Sequence, residues 1–73
     1  MNFSCGIRED QHCSYWVEPD DIIVFSKFNE ITIDLTQRLG RASWGREGKW
    51  TVSDCRFWFH SEQDRTLFIL KWL

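Results

Sequence analysis

The C-terminal part of the chain, residues 49–73, carries the apolar side chains from which a core can be built. It contains three of the five tryptophans and three of the six phenylalanines. Over residues 55–60 the side chains alternate between two faces, with Phe57 and Phe59 on one face and Trp58 on the other. A period of two predicts a β-strand. The rest of the chain is therefore expected to cover this aromatic strand.

A short helix is predicted directly after the aromatic strand. The Ser-x-x-Asp pattern at residues 61–64 precedes the apolar run 67–70, which is typical of a capped helix N-terminus. The leucine content favours a helix, although a further strand over residues 66–73 is the alternative. Apolar side chains would surround nearly the whole helix, so it is either covered on both sides or faces a partner.

A longer helix is predicted upstream, over residues 20–39. Pro19 and two aspartates suit its first turn, and Gly40 suits its end. Apolar residues recur at spacings of three and four, namely at Ile22, Phe25, Phe28, Ile31, Leu35 and Leu39. The alternative is a strand followed by a shorter helix that begins at Asn29.

The remaining segments complete a small sheet. Residues 12–18 favour a strand that stops at Pro19, and residues 49–53 favour another, joined to the aromatic strand by a turn at Ser53 and Asp54. Residues 1–11 are predicted to be a loose start or a short edge strand. We therefore expect a single α+β domain over residues 1–73, with an antiparallel sheet of about three strands, one long helix and a short C-terminal helix.

The charge distribution limits the partners that the chain can bind. Its formal net charge is −2, which argues against a general duplex-DNA binder. Residues 1–36 carry seven acids and two bases, whereas residues 37–73 carry four acids and seven bases. This polarity along the chain can orient a partner, or it can be ordinary surface.

The cysteine count and the N-terminus favour the cytoplasm. Three cysteines at irregular spacing do not resemble the framework of a secreted mini-protein. Residues 1–10 have neither the basic nor the apolar region of a signal peptide, and no apolar run approaches the length of a transmembrane helix. We expect free thiols, a cytoplasmic protein and no membrane association.

No metal, cofactor or catalytic site is predicted. Zinc favours ligand pairs that one turn presents together, and that spacing is absent from the five candidate ligands, Cys5, His12, Cys13, Cys55 and His60. A nucleophile such as Cys55 would need a nearby base, but the strand pattern sends Cys55 and His60 to opposite faces. We therefore expect a protein that is not an enzyme and holds no cofactor.

A basic aromatic segment at residues 38–50 is the best candidate for a nucleic-acid contact. It interleaves four cations with two tryptophans, namely Arg38, Arg41, Trp44, Arg46, Lys49 and Trp50. Single-stranded nucleic acid is bound by such a mixture, and so are protein partners, because Trp and Arg dominate binding hot spots. The remaining interpretation is structural, with both tryptophans folded back onto the core.

Trp58 is the other residue predicted to contact a partner. It lies on the face opposite Phe57 and Phe59, so it must be covered by a second element or be exposed. Coverage by the long helix is the structural interpretation. The predicted partner-binding residues are therefore Trp44, Arg46, Arg41 and Trp58.

The C-terminal segment, residues 57–72, resembles the ending of many small uncharacterised proteins of tailed bacteriophages. Those proteins share an aromatic strand, an acidic turn, and then Asp, Leu-Phe, an apolar residue, a base and Trp. The resemblance covers about the last quarter of the chain and carries no catalytic residues. It implies expression in an infected cell and a binding role.

Together these observations predict a non-enzymatic phage-type accessory protein. We expect it to bind a host or phage protein and to inhibit a host enzyme or defence complex. One alternative is a structural or assembly component of the virion. The other is a single-stranded nucleic-acid-binding protein that uses residues 38–50.

Overall fold

A computed structural model describes residues 3–19 and 26–73. In chain order its elements are β1 (Phe3–Ile7), β2 (Tyr15–Pro19), α1 (Phe28–Leu39), β3 (Trp50–Ser53), β4 (Arg56–Phe59) and α2 (Glu62–Trp72). The strands pair antiparallel in the order β1-β2-β4-β3. The predicted α+β class is confirmed, with four described strands in place of about three.

The first hairpin differs from the prediction in its boundaries. Residues 3–7, left between a loose start and an edge strand, form the edge strand β1. Strand β2 begins at Tyr15 and ends at Pro19. Pro19 lies opposite Phe3 of β1 and beyond residues 15–17, over which β2 pairs with β4. The helix start predicted directly after Pro19 lies outside the described residues.

Helix α1 is shorter than the predicted helix over residues 20–39. It begins at Phe28, because Lys27, at φ −99° and ψ 14°, departs from helical geometry. This start lies within one residue of the alternative that placed it at Asn29. The predicted segment at residues 20–25 lies outside the described residues. The predicted end is confirmed, since Gly40 follows the helix at φ 89° and donates its N–H to the Thr36 carbonyl.

Strands β3 and β4 form a hairpin with a two-residue turn. Asp54 and Cys55 occupy the turn, at φ 55° and 62°, as a type I′ turn requires. The turn lies one residue later than predicted. Cys55 therefore belongs to the turn, and it does not extend the strand face of Phe57 and Phe59.

The main core lies between the sheet and the two helices. Phe57 and Phe59 of β4 both contact Phe68 of α2, with ring centroids 4.8 and 5.5 Å apart. The buried residues of this core are Val17, Ile31, Leu35, Trp50, Phe57, Phe59 and Phe68. The prediction that Phe57 and Phe59 lie on the same face of the aromatic strand is thus confirmed.

Helix α2 begins where the capping pattern predicts. The Ser61 side chain accepts a hydrogen bond from the N–H of Gln63, at 3.2 Å. Phe68 is fully buried, whereas Leu70 is 77% exposed. The apolar residues around this helix are therefore divided between the core and the surface.

Asp34 joins the two helices. Its carboxylate accepts hydrogen bonds from Arg38 of the same helix, at 3.1 Å, and from Lys71 of α2, at 2.9 Å. The Trp72 indole N–H lies 3.4 Å from the same group. Partial burial acts to raise the pKa of Asp34, but these three donors outweigh it and hold the pKa below its ordinary value.

The substitution Asp34→Asn is expected to lower the free energy of unfolding by about 1–2 kcal/mol near neutral pH. A carboxyl whose pKa is lower in the folded state stabilises the fold above its unfolded pKa, and this contribution disappears as the pH falls through the folded pKa. The difference between wild type and variant should therefore narrow below about pH 4. Urea unfolding near pH 7 and pH 3 measures the difference in free energy of unfolding between the two proteins. If this difference is the same at both pH values, the role of Asp34 is contradicted.

Candidate functional site

The sheet face opposite the helices is built around tryptophan. Trp16 of β2 and Trp58 of β4 are cross-strand partners, with ring centroids 6.5 Å apart. Trp58 is only 2% exposed, and its indole N–H donates to the Ser53 carbonyl at 3.1 Å. Both faces of β4 are thus buried, although α1 and α2 pack on only one of them.

A glycine and two charged side chains surround Trp16 on this face of the sheet. The Arg56 guanidinium lies 4.0 Å from the centroid of the Trp16 ring and pairs with Glu18 at 3.1 Å. The indole of Trp16 lies across Gly6 of β1, where an added Cβ would come within 2.8 Å of the ring. The Trp16 ring is therefore held between an edge-strand glycine and a stacked arginine.

Trp44 covers the buried Trp58 from a loop. The two ring centroids lie 5.4 Å apart, with an interplanar angle of 60°. Trp44 itself is 43% exposed. Trp58 is therefore covered by Trp44, Trp16 and Arg56. The prediction that the long helix would cover it is not met by the described part of that helix, α1, which packs on the opposite face, where Phe28 contacts Phe57.

The segment that carries Trp44, residues 40–49, is referred to below as the Trp44 loop. It is pinned to β3 near its start. The Trp50 indole N–H donates to the Gly40 carbonyl at 2.7 Å, and the Ser43 N–H donates to the Trp50 carbonyl at 3.0 Å. Near its end the His60 N–H donates to the Lys49 carbonyl at 2.9 Å. Both ends of the loop are thus attached to the hairpin.

Cys13 holds the middle of the Trp44 loop from the β1–β2 connection. Its side chain is fully buried, and the sulfur lies 3.7 Å from the Gly48 carbonyl oxygen and 3.9 Å from that of Ser43. Burial raises the pKa of the Cys13 thiol, so the group stays protonated at neutral pH and can donate to these oxygens. The thiol is structural, as expected of a buried cysteine without a catalytic partner.

The substitution Gly48→Ala is expected to destabilise the protein by about 1–2 kcal/mol. An added Cβ at Gly48 would collide with the backbone oxygen of Ser43 and would lie 2.9 Å from its carbonyl carbon. The turn closed by the hydrogen bond from Gly48 to Gly45 must then open and shift Trp44. Urea unfolding and the near-ultraviolet circular dichroism of the tryptophans measure the two effects.

Gly45→Ala is the matched control for Gly48→Ala. A Cβ at Gly45 meets only the Ser43 hydroxyl oxygen, at 3.3 Å, which a side-chain rotation can relieve. Equal effects of the two substitutions, or a Gly48→Ala protein with unchanged stability and tryptophan signal, would show that the turn does not fix the loop.

The cations of the Trp44 loop differ from the other arginines. Arg41 and Arg46 are exposed and form no ion pair with a described residue. The other four arginines each lie within 4.0 Å of an acid, in the pairs Arg8–Asp10, Arg38–Asp34, Arg56–Glu18 and Arg65–Glu62. Lys49 is likewise exposed and unpaired within the described ranges. The loop therefore presents cations that no described carboxylate neutralises.

The predicted contact residues fall into two groups. Trp44, Arg41 and Arg46 share the Trp44 loop and its exposed surface, whereas Trp58 lies beneath it and supports the Trp44 ring. The structural interpretation, in which both tryptophans fold back onto the core, is confirmed for Trp50, which is 1% exposed. Trp44 contacts Trp58 but remains 43% exposed.

The five candidate metal ligands do not form a metal-binding site. His12 and His60 stack with ring centroids 4.1 Å apart, and the Nδ1 of His60 lies 2.9 Å from the His12 carbonyl oxygen. Across residues 3–19 and 26–73, no group of three His, Cys, Asp or Glu side chains has a metal-binding arrangement. The histidine pair instead joins the β1–β2 connection to the end of β4.

Two residues that organise the site were missed by the sequence prediction. The sequence indicates only a candidate metal ligand at Cys13 and a strand residue at Trp16. Cys13 contacts the carbonyl oxygens of residues 30 and 35 positions away, and Trp16 contacts Trp58 on a neighbouring strand, so neither contact has a local sequence signal. The alternation of β2 alone could have placed Trp16 on the same face as its partner on β4.

Comparison with protein-family models, curated proteins and solved structures finds no match to this chain. Among the described helices, neither combines the length and the apolar character that crossing a membrane requires. The Trp44 loop is the feature of the structure from which a function can be inferred.

Proposed function

We propose that this protein is a non-enzymatic binding module whose protein partner contacts the Trp44 loop. The observation that carries the proposal is the exposed Trp44 ring, which rests on a buried tryptophan within a loop attached at both ends. An aromatic anchor that is already held in place loses little conformational freedom on binding. Anchors of this kind, with arginine, dominate the energetics of protein interfaces.

The phage-like C-terminus supports a more specific role. The resemblance of residues 57–72 to the ends of small tailed-bacteriophage proteins implies expression in an infected cell, and a binding surface that is already held in place suits the blocking of a host enzyme or defence complex. We therefore propose a host protein as the partner. A phage protein remains the alternative within the same class.

Capture from bacterial lysate tests the proposal. The tagged wild-type protein is compared with the double variant Trp44→Ala/Arg46→Ala, with and without nuclease. We expect the wild type to retain one protein in defined stoichiometry despite nuclease, and the double variant to lose it. The control is Lys27→Ala/Leu70→Ala, which removes an exposed cation before helix α1 and an exposed apolar side chain from helix α2 and should retain the same protein.

The outcomes separate the candidate functions. Equal loss in both double variants, or capture of nothing, would contradict a protein-binding role for the Trp44 loop. The loop cations, which form no ion pair with a described residue, lie near Trp44 in the sequence and favour single-stranded nucleic acid as the second candidate. Material that disappears with nuclease and is recovered as nucleic acid would replace the first proposal with the second.

A further inference from the structure

We infer that the partner of the Trp44 loop presents an acidic segment that carries at least one apolar side chain. This inference rests on the proposed function and adds the chemistry of the partner. The Trp44 loop would then bind acid-rich protein surfaces selectively.

The two arginines of the loop differ from the other arginines in their pairing with acids. Every arginine of the described ranges outside the loop lies beside an acid of this chain, whereas Arg41 and Arg46 do not. They lie three residues before and two residues after Trp44. A guanidinium binds a carboxylate through two parallel hydrogen bonds, so carboxylates from a partner would satisfy both arginines.

The partly exposed Trp44 ring offers a contact for an apolar side chain of the partner. One part of the ring is covered by Trp58, and 43% of the residue remains exposed. An indole ring is mostly apolar, and Trp44 lies between Arg41 and Arg46 in the sequence, so the complementary surface has an apolar side chain between carboxylates. Removing water from around such charge pairs strengthens them, because the apolar contact lowers the local dielectric constant.

The small extent of the basic surface favours an acidic protein segment over a nucleic acid. Proteins that follow a nucleic-acid backbone need an extended basic groove. Arg41, Arg46 and Lys49 lie on one short loop and form no ion pair with a described carboxylate. They offer a local site, which fits a few carboxylates better than a long phosphate backbone.

Selection from a display library of random dodecapeptides tests the inference and does not require the natural partner to be identified. The wild-type protein is expected to enrich peptides that combine several Asp or Glu residues with an apolar residue. The variant Arg41→Gln/Arg46→Gln should bind the enriched peptides at least about tenfold more weakly, and their affinity for wild type should fall as salt is added. The control Lys27→Ala/Leu70→Ala should leave the affinity unchanged.

Other outcomes would overturn the inference. Enrichment of peptides without an acidic excess would reject the acidic partner but leave a protein-binding role intact. Binding of a poly-dT oligonucleotide in place of any peptide would reject both the acidic partner and the proposed function. If no peptide is enriched, the acidic segment is rejected, and the lysate capture decides separately whether the loop binds a folded protein.

Discussion

The substitution Phe57→Ala is expected to leave most of the protein unfolded. Phe57 is 1% exposed at the centre of the sheet, and its ring contacts Phe68 of α2 at 4.8 Å and Phe28 of α1 at 6.0 Å between centroids. Truncating a buried phenylalanine costs about 3–5 kcal/mol. A small domain of this length has a total stability of only a few kcal/mol, so the loss is comparable to the whole.

Circular dichroism and urea unfolding measure the effect of Phe57→Ala. The control is Ile33→Ala on helix α1, where the side chain is 58% exposed and truncation should change the stability by less than about 0.5 kcal/mol. A Phe57→Ala protein that remains as stable as this control would contradict the placement of Phe57 in the core.

The substitution Trp44→Ala is expected to abolish most partner binding and to leave the fold intact. Truncating a central aromatic anchor costs about 2 kcal/mol or more of binding free energy, roughly a thirtyfold loss of affinity. Because Trp44 is partly exposed, its loss should lower the unfolding free energy by only about 1 kcal/mol. Titration calorimetry with the captured partner and urea unfolding of the free protein measure the two quantities.

Leu70→Ala is the matched control for Trp44→Ala. It removes a more exposed apolar side chain from helix α2 and should leave the affinity unchanged. Trp44→Phe should bind between the wild type and the alanine variant, because a smaller aromatic ring keeps part of the contact. Equal affinity of Trp44→Ala and wild type would remove the Trp44 loop from the interface.

The best-predicted part of the fold is the C-terminal unit, where local signals and tertiary packing agree. The alternation around Phe57 and Phe59 and the cap at Ser61 both follow from short-range physics. The start of α1 was less predictable, because the periodic apolar pattern passes through Lys27 without a break. The hairpin turn was misplaced by one residue, since Cys55 is not a residue that sequence reasoning assigns to a positive φ.

The candidate site was predictable in composition but not in arrangement. The mixture of Trp44 with Arg41 and Arg46 is visible in the sequence, and its location in a loop follows from the glycines. The coverage of Trp58 by this loop was missed, because a contact between a loop and a distant strand has no periodic signature. The same reason explains why the structural role of Cys13 could not be recognised.

Nuclear magnetic resonance of the tryptophan indole groups tests the central claim most directly. The five indole N–H signals are followed as the captured protein partner is added. We predict that the Trp44 signal shifts or broadens first, because Trp44 is 43% exposed on the loop that we propose as the interface. The Trp72 signal, whose N–H faces Asp34 between the helices, should not change. An unchanged Trp44 signal with a shifted Trp72 signal would place the interface on the helices and contradict the account.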